Sequence, residues 1–262
     1  MRILRFTPPT GSNLGSDPLF GILEDELTIR VVSGDPLYSG IQLRDERVSL
    51  ESVRVLAPVI PRSKVVCVGK NYADHAAEMG GTVPKEPIIF IKPNTSVIGP
   101  NDIINWPSQS QRVDHEAELA IVISRICKDV PKERFRDVIF GYTVANDVTA
   151  RDIQQGDGQW TRGKSFDTFC PLGPWIDTEF FPSAQRITAE VDGEIKQDAK
   201  LNEMVFDIPT IINFITSAMT LLPGDVILTG TPAGIGPVIP GKEVKISIEG
   251  LGQLTNRVSE RG

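Results

Sequence analysis

Two acidic clusters hold the residue types best suited to chemistry. The first is Val113-Asp114-His115-Glu116-Ala117-Glu118-Leu119-Ala120-Ile121-Val122-Ile123. The second, about thirty residues on, is Gly141-Tyr142-Thr143-Val144-Ala145-Asn146-Asp147-Val148-Thr149-Ala150-Arg151-Asp152. Each sets carboxylates at the edge of an apolar, strand-like run, and carboxylates rarely bury unless a positive group meets them. Residues two apart in a strand face the same way. Glu116 and Glu118 therefore stand together at the mouth of a strand that enters the core toward Ile123. Two like charges this close raise each other's pKa unless a cation intervenes. Asp147 follows the apolar stretch Tyr142 to Ala145 in the same manner. Three carboxylates with no soft ligand suit a hard ion, Mg²⁺ or Mn²⁺, with positions left for substrate and water. A solvated acidic strand end has the same Glu-x-Glu spacing, and that plainer reading stands beside the metal. Thr149 is placed to cap the next turn, with Asp152 three residues on in a weak version of a capping box.

The chain has two histidines. His75 and Glu78 are three apart in a helix-like segment, and so neighbours on one face. A carboxylate beside an imidazole fixes its tautomer and raises its basicity, as a general base requires. Gly80 and Gly81 follow, and would let the segment hinge as a lid. A surface helix with an ordinary i, i+3 pair fits the same residues. His115 faces away from Glu116 in a regular strand and is expected to support the site rather than to ligate. Lys164 lies between Trp160 and Phe166, Lys92 ends an apolar run before Pro93, and Arg151 follows Asp147 by four. They are the local positive charges that an acidic substrate would need in a chain of net charge -7, though each is compatible with plain solvation. Thr229 to Pro237 is glycine-rich. It lacks the Gly-Lys-Ser/Thr of a P-loop, and Pro237 and Pro240 oppose the helix of a dinucleotide fingerprint. A turn whose N–H groups meet a carboxylate and a purely structural turn both fit.

The elements that must position these groups are mostly strands. Phe20-Gly21-Ile22-Leu23 and Leu27 to Val31 flank an acidic hairpin turn, and Pro58 and Pro61 mark a linker. Residues 1–60 thus form a small β-rich unit with no chemically active cluster, suited to packing or dimerisation. A buried strand follows at Lys64 to Gly69, then a short helix from Tyr72 to Met79 and a strand from Pro87 to Lys92. Strands at 117–124 and 139–146 carry the acidic clusters, with a short helix between them from Pro131. Asp192-Gly193 is the strongest hairpin signal. Asp207 and Pro209 open a helix whose apolar stripe is Ile208, Ile211, Ile212, Ile215, Ala218 and Met219. Few segments read as crossover helices, so the spacing predicts a mixed α/β, β-rich and largely antiparallel fold.

Bulk composition narrows the function classes. The 262 residues are 40% hydrophobic and 23% charged, as in an ordinary globular protein. The acidic balance disfavours a nucleic-acid partner. No apolar run reaches the roughly 18 residues of a membrane span, and the start lacks a secretory core. Cys67, Cys127 and Cys170 are too scattered for a disulfide framework or a zinc site, which makes a reducing cytoplasm the expected setting.

These segments resemble the fumarylacetoacetate hydrolase family. The likeness runs in unbroken order over residues ~64–258. It passes through Gly69-Lys70-Asn71-Tyr72-Ala73-Asp74-His75-Ala76-Ala77-Glu78, Phe90-Ile91-Lys92-Pro93 and Val113 to Ala120. It continues through Asn146 to Gln154, Gly163-Lys164-Ser165-Phe166-Asp167 and Leu228 to Gly236. Residues 1–60 look like the variable N-terminal unit of the small bacterial and mitochondrial members. The resemblance implies a β-roll catalytic domain over 61–262 and a homodimer. It implies that Glu116, Glu118 and Asp147 bind Mg²⁺ or Mn²⁺, with Lys164 beside metal and substrate. His75 and Glu78 would form a catalytic dyad on a lid. Lys92, Arg151, Gln154 and Thr231 would hold substrate or orient water. The implied enzyme acts on a 2-oxo acid through a metal-bound enolate, foremost by hydrolytic C–C cleavage of an acylpyruvate or related 2,4-dioxo acid. Decarboxylation of oxaloacetate and isomerisation of a 2-hydroxy-dienoate or 2-oxo-enoate are the alternatives, since all three pass through the same enolate. A non-catalytic keto-acid binder competes with these, weakened by the presence of both His75 and Glu78.

Overall fold

The computed structural model describes residues 1–261. The strand Ala117–Ile123 is buried along its whole length. Leu119, Ile121 and Ile123 point into one apolar cluster, Ala120 and Val122 into another. A strand covered on both faces needs an apolar residue at nearly every position, which is why this run does not alternate. It lies inside a twelve-stranded sheet. In spatial order the main path is Leu43–Ser49, Thr28–Val32, Leu19–Leu23, Arg2–Thr7, Cys170–Asp177, Ile139–Asn146, Ala117–Ile123, Val226–Leu228, Val65–Gly69 and Ile88–Lys92. The N-terminal strands extend this sheet directly, because Ile3 pairs with Ile176. They keep their own small cluster around Leu4, Phe6, Ile29 and Val31. The predicted hairpin is present, Leu19–Leu23 against Thr28–Val32, with Asp25 accepting from the Leu27 and Thr28 N–H groups.

Most pairing is antiparallel, as the spacing predicts. One exception matters for the site: Val226–Leu228 runs parallel to Val65–Cys67. Parallel neighbours deliver their carboxyl ends to the same edge, the usual location of sites on such sheets. The segment after Gly69 and the glycine-rich turn after Leu228 thereby come together.

A second, five-stranded sheet pairs Glu194–Lys200, Arg186–Val191, Glu243–Ile248, Gly252–Val258 and Ile103–Ile104. Asp192 and Gly193 make its tight turn with φ of 50° and 84°, the positive values a two-residue hairpin needs. The helix Ile208–Ala218 is capped by Asp207, whose carboxylate accepts from the Thr210 N–H at 3.0 Å. Its fully buried stripe runs to Thr216, Met219 packs partly buried against the core, and the expected Ala218 is exposed. The capping box of Thr149 and Asp152 does not form. Asp152 accepts from Ser110 Oγ (2.6 Å) and the Gln111 N–H (2.8 Å), which hold it on the preceding loop. Among the described residues no helix is long and apolar enough to cross a membrane.

Candidate active site

Sheet register, rather than sequence spacing, assembles the carboxylates. Ala117 pairs with Asn146 and Glu118 with Ala145, so Glu116 and Asp147 sit one step beyond the paired ends. The Asp147 N–H donates to the Glu116 carbonyl (2.9 Å), and the Glu116 N–H donates to Asn146 Oδ1 (3.0 Å). Carboxylate oxygens of Glu116, Glu118 and Asp147 all lie within 4.8 Å of one another, and all three side chains are buried.

Cations enclose this group. Lys164 Nζ donates to Glu116 Oε2 (2.8 Å) and Asp147 Oδ2 (2.6 Å). Lys92 Nζ donates to the other Asp147 oxygen and to the Val148 carbonyl. Arg151 donates to Glu116, to Asp114 Oδ2 (2.8 Å) and to Gln154 Oε1 (2.6 Å). Gly163 explains how Lys164 reaches so deep: a Cβ there would stand 2.8 Å from the Gln154 nitrogen, so helices Arg151–Asp157 and Thr161–Lys164 touch backbone to backbone.

The electrostatics follow from burial and these partners. Burial alone would raise the Glu116 pKa, but Lys164 and Arg151 outweigh it and hold the carboxyl well below the usual range. Burial, then Asp147 and Glu116, push Glu118 well above that range, although the Gly230 N–H donates to it at 2.6 Å. Burial disfavours charge on Lys164, but Asp147 and Glu116 overcome it, and the ammonium stays charged. The three carboxylates face two ammonium groups, Lys92 and Lys164, and Arg151, which shares Asp114 with Arg112, also reaches Glu116. The donor set fits a hard divalent cation. Its ligand atoms are all carboxylate oxygens and their spacing is short. Glu116, Glu118 and Asp147 are the residues that would hold it.

His75 lies on the helix Ala73–Glu78, 6% exposed, and lines the same cleft as Glu116, Glu118, Asp147 and Lys164. The cleft is tight, with a free volume of about 30 Å³. Glu78 Oε2 lies 3.2 Å from His75 Nδ1. Glu78 is fixed in turn by the Gly234 N–H at 3.1 Å. The helix closes as expected on its glycines: Gly80 (φ 70°) donates to Ala77 and Gly81 to Ala76, the bonds of a Schellman motif. N–H groups of the glycine-rich turn meet carboxylates of the protein itself, Gly230 on Glu118 and Gly234 on Glu78. Gly234 tolerates no side chain, because a Cβ would stand 2.1 Å from the Lys196 carbonyl.

Arg151, Gln154 and Thr231 line the cleft. Lys92 does not: fully buried, it stands behind Asp147 and acts on that carboxylate. His115 is a supporting residue. It is buried, with Nδ1 3.1 Å from Gln197 Oε1, and burial lowers its pKa.

Gln197 was invisible to pattern reading. Its oxygen also accepts from the Ala117 N–H (2.9 Å), while its NH₂ donates to Thr231 Oγ1 and the Pro232 carbonyl, both at 2.8 Å. One buried amide thus joins the acidic strand to the glycine-rich turn. Because Thr231 Oγ1 accepts from Gln197, its own proton is available to the cleft.

The comparisons with known proteins agree with this geometry. The fumarylacetoacetate (FAA) hydrolase C-terminal family model matches residues 64–259, and an Rv2993c-like N-terminal model matches residues 1–58. The chain is 51% identical to protein Rv2993c of Mycobacterium tuberculosis, covering 100% of this chain and 99% of the relative. It is 46% identical to the mitochondrial oxaloacetate tautomerase Fahd2a of Rattus norvegicus, over 79% of this chain and 69% of that protein. The crystal structure of 2-hydroxyhepta-2,4-diene-1,7-dioate isomerase from Mycobacterium marinum superposes with a TM-score of 0.90 at 46% identity, covering 100% and 99% of the two chains. Maleylpyruvate hydrolase from Sphingobium sp. SYK-6, in complex with manganese(II) and pyruvate, superposes with a TM-score of 0.79 at 28% identity, covering 100% of both. Site geometry, family match and full-length likeness converge: the chain belongs to the fumarylacetoacetate hydrolase family, whose members are enzymes.

Proposed function

We propose that this protein is a divalent-metal-dependent enzyme that moves a proton at the carbon next to the ketone of a 2-oxo acid, as a tautomerase or isomerase. The observation that carries this reading is that His75, backed by Glu78, lines one cleft with the carboxylate triad. An ion held by Glu116, Glu118 and Asp147 would supply Lewis-acid charge, which acidifies a carbon next to a ketone. Glu78 takes the His75 Nδ1–H, which leaves Nε2 as the base. His75 accepts the proton from carbon and returns it at the carbon or oxygen that defines the product. Lys164, kept charged by Glu116 and Asp147, balances the negative charge that develops on the ketone oxygen. Thr231 and the Gln154 NH₂ supply neutral donors for the substrate's polar atoms. The oxaloacetate tautomerase and the isomerase, each 46% identical, support proton transfer as the whole reaction.

Hydrolytic C–C cleavage is the second reading, favoured by the maleylpyruvate hydrolase likeness. In it His75 takes its proton from water, and the cleaved bond leaves a 2-oxo acid. A single panel separates the two: decay of enol-oxaloacetate absorbance, CO₂ release, and pyruvate release from acylpyruvates, each with and without Mg²⁺ or Mn²⁺. Metal-dependent enol decay that falls about 10²–10⁴-fold in His75→Ala is the expected result. Full activity in His75→Ala, or turnover independent of metal, refutes the proposal. Pyruvate release without enol decay selects the second reading.

A further inference from the structure

We propose that Trp160 is a door between the cleft and a neighbouring apolar groove, and that its closed position limits the length of ligand the cleft accepts. The inference rests on the proposed function for the class of ligand, a 2-oxo acid. The cleft of this structure is closed. Its free volume of about 30 Å³ has room for about two water molecules, and even the smallest 2-oxo acid is larger. A wall must therefore move before a ligand enters.

The carboxylate wall stands on paired strands inside the twelve-stranded sheet and is rigid. The helix of His75 is pinned at both ends. Before it, the fully buried Asn71 side chain accepts from the Phe206 N–H (2.7 Å) and donates to the Phe206 and Thr229 carbonyls (3.1 and 2.7 Å). At its other end Glu78 takes the Gly234 N–H. Phe90 and Trp160 also wall the cleft, packed edge to face with ring centroids 5.3 Å apart. Phe90 is held by strand pairing opposite Cys67 and by the Lys164 ammonium, 5.0 Å from its ring centre. Among the described residues the Trp160 indole is held by contact alone. It rests on Gly69, where a Cβ would stand 2.5 Å from Cζ3. The segment before it is exposed from Gln155 to Gln159, and Gly156 and Gly158 have open space around them. The Arg162–Asp157 ion pair that spans this segment lies at the surface and adds little. Of these walls, the indole is the easiest to move.

The space behind the indole defines what it shuts out. Phe90 and Trp160 also line an open groove of about 710 Å³, together with Ile88, Ile91, Pro93 and Thr161. Ile88 and Ile91 are 37% and 43% exposed. The lining holds no charged side chain, so the groove suits an alkyl chain and not a second carboxylate. With the indole closed, a 2-oxo acid must end inside the cleft. With it swung aside, the tail of a longer one runs into the groove.

The test is calorimetry on the Mg²⁺-loaded protein with 2-oxobutanoate and 2-oxooctanoate, and with oxalate, which has no tail, as control. In wild type the longer acid is expected to bind no tighter than the shorter. In Trp160→Ala it binds about ten- to a hundredfold tighter, because each fully buried methylene is worth about fourfold and the groove is half open. Gly69→Ala keeps the indole but displaces it, and shows the same preference. Oxalate binds all three proteins within about threefold, which shows that the variants fold and keep the triad. A wild type that already favours the longer acid by about tenfold, or variants without that preference, overturn the door and leave the proposed function standing. Loss of oxalate binding in both variants also overturns the door, because the indole would then be needed to keep the triad in place. Wild type that binds no 2-oxo acid overturns the door and the proposed function together.

Discussion

Gln197→Leu tests whether one amide ties the two halves of the site together. Leucine nearly matches glutamine in volume, so the cavity term is small. The polar loss is large: the Ala117 N–H, the His115 Nδ1–H and the Pro232 carbonyl each lose a partner in a fully buried setting. The Thr231 hydroxyl can turn to another acceptor. At about 1–3 kcal/mol per stranded group, less a small apolar gain, the substitution costs roughly 3–6 kcal/mol. That is a large share of the roughly 5–15 kcal/mol that holds a domain folded. Urea unfolding in metal-free buffer measures it, with Gln155→Leu, at an exposed helical position, as a control expected within about 0.5 kcal/mol of wild type. At roughly 2–4 °C per kcal/mol the melting point of Gln197→Leu falls by about 6–24 °C. A loss under about 1 kcal/mol would refute the reasoning, because the stranded groups would then have found water or each other.

Mg²⁺ or Mn²⁺ should raise the melting temperature by mass action, about 2.7 kcal/mol at a hundred times Kd, and Glu118→Gln should abolish most of the rise; an unchanged shift in the variant, by thermal denaturation, removes Glu118 from the ligand set. Lys92→Met leaves Asp147 with Lys164 as its one cationic partner and should cost about 3–5 kcal/mol of stability without metal, partly restored by a divalent ion; a stability equal to wild type in denaturant titration would show that Lys92 does not neutralise Asp147.

Much of the site was legible because its parts have local signatures. Glu116 and Glu118 share a strand face by the two-residue period, and His75 and Glu78 share a helical face by the three-residue spacing. Asp147 was legible as another carboxylate at a strand end, and the register of Ala117 with Asn146 then made it a neighbour. Hairpins at Asp25 and Asp192-Gly193 and the cap at Asp207 followed from side-chain chemistry within a few residues. Gln197 shows where such signals end. Alternation in Glu194-Ile195-Lys196-Gln197 points Ile195 inward with Gln197 on the same side. The pairing instead jumps from Ile195 opposite Glu190 to Gln197 opposite Ala189, a bulge at Lys196. That extra residue turns Gln197 into the site and leaves Ile195 55% exposed.

The sequence by itself determined the chemical inventory: three carboxylates without soft ligands, one base with its carboxylate, a handful of cations, and the strands and turns that carry them. These are properties of residue types at short spacing. Only the tertiary structure decided how the cations divide. Lys92 stands behind Asp147, Lys164 bridges Glu116 and Asp147, and Lys70 lines the cleft with no ion-pair partner among the described residues. In sequence the three are interchangeable lysines beside apolar runs. Charge pairing acts through space over a few ångströms, and those distances are set by strand register and by the parallel pair that brings residues 69–71 and 229–234 to one edge of the sheet.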